Sequence, residues 1–149
     1  MTTHAEMRHV EQATYRPGAL LRASLTAMAF SSIANLALYG AAGLLVPSVT
    51  AWPGAGVGQI VGASCAYLFM GTILMALLAR FSARPAQHFR FLATVGLLLS
   101  LALPIGAGFG YGAPGAPPAG LATVVTLSLM HVVAYAISLP LFTRPLQTK

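Results

Sequence analysis

The chain has 149 residues, 57% apolar and only 7% charged, with a formal net charge of +6 and a mean hydropathy of +0.79. A soluble globule carries about 25% charged residues, so this composition excludes one and points to an integral membrane protein. The basic excess does not indicate nucleic acid, because no aromatic-interleaved basic face exists, and the single cysteine, Cys65, excludes an internal disulfide or a Cys-rich metal site.

Taken in order, residues 1–18 are polar, hold the only two acids (Glu6 and Glu11) and end in Pro-Gly, which reads as a tail ahead of a single membrane domain over 19–149. The first apolar run, 23–46, is longer than the roughly 7–15 residues of a secretory signal's core, so it reads as a membrane span and not a cleaved leader. A connector with two prolines and Trp52 follows, uncharged, with Trp52 expected as an interfacial anchor. The second span is expected over 57–79, with Gly54, Gly58 and Gly62 at the spacing that lines one helix face and admits a neighbouring backbone. Then comes RFSARPAQHFR, residues 80–90, which places Arg80, Arg84 and Arg90 between two apolar runs. A guanidinium at the bilayer centre costs at least about 2.5–3.5 kcal/mol, so this segment marks a membrane boundary. The third span is expected over 91–108, with Pro104 near its outer end as a tolerated break or kink. An uncharged Gly/Pro/Ala connector leads to the fourth span, 121–142, and a short basic tail.

Every Lys and Arg falls in the N-terminal region, the 80–90 hinge or the C-terminal tail, and none in the other two connectors. By the positive-inside rule this predicts an all-α, polytopic bundle of four transmembrane helices with both termini cytoplasmic. Arg80, Arg84 and Arg90 are then the residues expected to meet anionic lipid head groups or an acidic partner surface.

Inside the spans, the few polar residues are the informative ones. At about 100° per residue Ser24, Ser31 and Asn35 share an arc of the first helix. Gly58, Gly62, Cys65, Phe69, Thr72 and Ala76 form a small-residue stripe on the second, and Ser128, His131, Tyr135 and Ser138 share a face of the fourth. These stripes are expected to face one another, with Asn35 as interhelical glue and His131 satisfied by a serine or by Asn35. His131 is also the one low-ranking candidate for a cofactor ligand. A haem would want a second axial ligand, which His4, His9 and His88 cannot supply from outside the membrane. No intramembrane carboxylate, phosphate loop or Ser-His-Asp set occurs, so neither catalysis, a metal nor a cofactor is expected.

Asn35, with ARFSARP at 79–85, LLLSLALPIGAG at 97–108 and LSLMHVVAYAISLPL at 127–141, resembles a family of short bacterial four-helix membrane proteins catalogued as a domain of unknown function. The resemblance covers most of 20–142 and implies the fold and an envelope location, with no activity; the location expected is the bacterial cytoplasmic membrane. It raises His131, Ser100, Pro104 and Asn35 as residues of interest, while the connector 109–120 looks longer than typical members need. The expected role is a non-enzymatic accessory or structural subunit in contact with lipid and with other membrane chains, as a homo-oligomer or a larger complex. The alternatives are a carrier or channel component with a polar path at Asn35 and His131, and a quinone-, pigment- or haem-binding subunit.

Overall fold

A computed structural model describes residues 17–144 except Ala113, so the expected tail at 1–16 and the residues from 145 on lie outside the described part. Six helices follow one another: α1 Pro17–Leu45, α2 Ser48–Ala51, α3 Val57–Phe81, α4 Pro85–Ser100, α5 Ala102–Gly108 and α6 Leu121–Thr143. α4 and α5 together make one span, so four helical spans are long and apolar enough to cross a membrane, and no strand occurs among the described residues.

Proline explains several boundaries. Pro17 and Pro85 open α1 and α4, where a missing N–H costs nothing and φ is already helical; Pro47 stands just past the end of α1. The helices therefore include Arg22 and Arg90, beginning at 17 and 85, ahead of the apolar runs expected from 23 and 91. The arginine stem is long enough to carry its charge to the interface from within a helix end, so a basic residue need not stand outside the span. At Pro104 the expected disturbance is present: α4 gives way to α5 at Leu101, which puts Pro104 in the first turn of the new helix. There the lost bond to the Ser100 carbonyl matters least.

In cross-section the four spans form a ring in the order α1, α3, α4–α5, α6. α1 packs most closely on α6 and next on α3, whereas α4 touches α3 and α6 more lightly and lies opposite α1. Phe89 is the one buried residue of α4. Two apolar clusters stack along the bundle. One gathers Leu20, Ala27, Leu68, Met75, Phe89 and Phe142, with Phe89 and Phe142 edge to face at 5.5 Å between centroids. This is the end at which α1 begins, α3 meets α4, and α6 ends; Arg22, Arg80, Arg84, Arg90 and Arg144 belong to it and are exposed.

The other cluster lies at the uncharged end and includes Tyr39, Val49, Trp52, Ile60, Ala107 and Met130. Here Trp52 departs from expectation. It is 7% exposed and donates its Nε1–H to the Pro117 carbonyl at 2.8 Å, which fastens the first connector to the last one. An indole with a main-chain acceptor inside the fold has no need of the head-group layer to satisfy its N–H. The closure depends on Gly54, where an added Cβ would run into the Trp52 ring, and on Gly110, whose φ of +89° suits glycine. Tyr39 adds a bond from its hydroxyl to the Ala55 carbonyl at 2.8 Å, and Ala119 N–H bonds the Ala107 carbonyl at 2.8 Å.

Candidate functional site

Several polar side chains inside the spans return their proton to their own helix, and a few cross to a neighbour. Thr72 donates to the Leu68 carbonyl at 2.8 Å, so in the 2.7 Å contact between Ser24 and Thr72 the serine must be the donor. The same logic applies to Thr94, whose hydroxyl proton goes to the Arg90 carbonyl at 2.8 Å. Tyr135 therefore donates to Thr94 across the α4–α6 contact at 2.7 Å. Asn35 Nδ2 donates to Ser64 Oγ at 3.2 Å, joining α1 to α3, while Asn35 Oδ1 is buried with no partner. Ser31 Oγ and Ser32 Oγ are also buried and unpartnered. Ser128 bonds the Val124 carbonyl at 2.8 Å.

His131 is held by its own helix. Its Nδ1 lies 2.8 Å from the Leu127 carbonyl, which can only accept, so Nδ1 carries the proton and Nε2 of the neutral ring is left as an acceptor. The expected serine or Asn35 partner is thereby replaced by a main-chain one. Four residues back along a helix lies a carbonyl that a short ring can reach without any cross-helix contact. The Tyr67 ring of α3 stands against His131 at 6.4 Å between centroids, tilted by 59°.

The light packing of α4 leaves a cleft of about 630 Å³ between α3, α4 and α6. Leu74, Phe89, Leu92, Leu97, Met130 and Phe142 contribute to its largely apolar wall; Asn35, Ser64, Tyr67 and His131 are in the same wall. Ser64 and Tyr67 are three residues apart on α3, a rise of about 4.5 Å, so the Asn35–Ser64 pair and the Tyr67–His131 pair occupy neighbouring levels of the bundle. Gln59, Ser100, Tyr135 and Ser138 add polar groups at other levels of the wall. A volume within the roughly 300–1,000 Å³ of small-molecule sites, lined mainly by apolar side chains, suits a lipophilic molecule. Among the described residues no three His, Cys, Asp or Glu gather as a metal site would require.

The stripe expected on the second span divides: Thr72 meets Ser24 of α1 and Ala76 packs on the core, while its glycine end is open. Gly58, Gly62 and Phe69 are exposed, and a Cβ at either glycine would meet nothing within 4 Å; Cys65 is half-buried. Ile60, Ser64, Leu68 and Met75 make the inward face instead. Both faces of α3 are apolar, and lipid accepts either, so residue size gave no basis for choosing between them. Ser64, Tyr67 and Thr94 went unrecognised as polar cleft residues or cross-helix partners. A Ser or Thr that closes on its own helix is indistinguishable in sequence from one that crosses. Arg80, Arg84 and Arg90 remain exposed around the α3–α4 turn, where Ser82 Oγ accepts the Arg84 N–H at 3.1 Å and contacts His88 Nδ1 at 2.6 Å.

A family described as a family of unknown function (DUF6069) has a model that matches residues 15–148. No curated protein and no solved structure matches the chain.

Proposed function

Since the chain belongs to that family of unknown function, DUF6069, we propose a role from its own geometry: a non-enzymatic membrane protein that binds a lipophilic molecule in the α3–α4–α6 cleft. The observation that carries this reading is the cleft itself, about 630 Å³ and lined mainly by apolar side chains with a few polar groups among them. The sparse acids support a role without catalysis, because Glu6 and Glu11 both precede the first span. Cytoplasmic placement of the basic end is part of the proposal and is supported by the gathering of all five described arginines there. Purification in mild detergent, followed by native mass spectrometry, tests the binding reading. A lipophile should co-purify and should be lost in Gly96→Leu, because Gly96 lines the cleft and has open space beyond its Cα. A wild-type chain free of any bound molecule would sink the reading.

The accessory-subunit reading is favoured by a separate observation, the open outward face at Gly58 and Gly62. Small residues there would let a helix of a second chain approach closely. A detergent-solubilised mass above the monomer, restored to monomer by Gly62→Leu, is the expected outcome if this face is used. A carrier role would need the polar groups of the cleft to conduct. Flux in proteoliposomes unchanged by Asn35→Ala together with His131→Ala would remove it.

A further inference from the structure

Several of the donors around the cleft are already committed within the protein. His131 has given its one N–H to the Leu127 carbonyl, Tyr135 its proton to Thr94, and Ser138 and Ser100 theirs to the carbonyls of Tyr135 and Leu97. His131 Nε2 stays open as an acceptor, and the hydroxyl of Tyr67, whose ring stands against the imidazole, has no partner among the described residues. Asn35, 4% exposed and part of the same wall, holds an unpartnered Oδ1. A buried acceptor with no donor is a standing cost in hydrocarbon, and a ligand that supplies the donor removes it.

We infer that the cleft selects a lipophilic alcohol or phenol, whose hydroxyl donates to His131 Nε2 and accepts from Tyr67, over the same molecule without that proton. The inference rests on the cleft-binding reading and adds the chemistry of the polar end. A hydroxyl satisfies both open groups because it is donor and acceptor at once. An ether, ketone or quinone can use only the Tyr67 proton and leaves the ring nitrogen bare. A carboxylate likewise has only the Tyr67 proton to accept, brings no donor for Nε2 and finds no Lys or Arg in the wall to neutralise it. The apolar remainder of the ligand lies against Leu74, Leu92, Leu97 and Phe89, where chain length sets affinity and the hydroxyl sets choice.

The test uses the full chain in nanodiscs and measures binding of para-nonylphenol and of para-nonylanisole, its methyl ether. Wild type should prefer the phenol by about tenfold, the ratio that one hydrogen bond of ordinary strength provides. His131→Leu should bring the two affinities together by weakening the phenol and leaving the ether unchanged, and Tyr67→Phe should weaken both. Equal affinities in wild type, or a preference that survives His131→Leu, would overturn this inference and leave the cleft-binding reading intact. Failure of both probes to bind wild type would overturn the two together. If His131→Leu does not fold, His131→Gln serves, since its amide oxygen can still accept and should retain part of the preference.

Discussion

Asn35 gives one amide hydrogen to Ser64 at 3.2 Å and keeps an oxygen without a partner, so it secures α1 to α3 less firmly than a fully satisfied amide would. A double-mutant cycle with Asn35→Ala and Ser64→Ala, read by unfolding in mixed micelles, should give a coupling near the membrane average of about 0.6 kcal/mol and well below 2. Trp52 is worth more because it joins two connectors and fills space as well. Trp52→Phe should cost about 1 kcal/mol for the lost bond to the Pro117 carbonyl, and Trp52→Ala about 3–5 kcal/mol, measured the same way. Asn35 was legible because an amide in hydrocarbon must find company. Its partner was not, since Ser64 looks in sequence like any small residue of a packed helix. The main-chain tether of His131 was equally hidden, because Leu127 announces nothing of its carbonyl.

Among the elements, the four spans were read from apolar length and from the arginines between them, and prolines set several of their ends. Which way each span turns was legible only where strongly polar groups occur. α1 was placed by Ser24, Ser31 and Asn35, while α3, whose one amide, Gln59, stands in its first turn, was turned toward its glycines and in fact turns Met75 and Ser64 inward. The rotation is testable: Met75→Ala should cost about 2 kcal/mol through the cavity it leaves, the low end for a core methionine because lipid competes for apolar surface. Gly62→Ala should change monomer stability by no more than about 0.5 kcal/mol or raise it slightly, as its Cβ meets open space. Unfolding of both variants in the same detergent decides between the two faces. A site at Asn35 and His131 was among the alternatives, but the shape of the cleft was hidden, because it comes from how loosely α4 sits, and pairing strength between spans leaves no mark in composition.

At the scale of the whole molecule, the five described arginines share one end and the two uncharged connectors are bonded together at the other, so the chain has a strongly polar long axis. Orientation in the membrane then follows from charge alone. In a Cys65→Ser background, an impermeant thiol reagent applied to intact cells should label Ala116→Cys readily, and Ala83→Cys only after permeabilisation; the opposite pattern would invert the proposed topology. The fastening between Trp52 and Pro117 carries one more implication. It grips the second connector by its spine, through an oxygen that every amino acid possesses, and so takes no notice of what hangs from that spine. Under saturation mutagenesis Pro114, Ala116 and Pro117 should therefore drift freely wherever the path of the chain is kept, while position 52 accepts almost nothing else. Diversity on that surface costs the molecule little, which leaves its exterior free to change while the bundle beneath it does not.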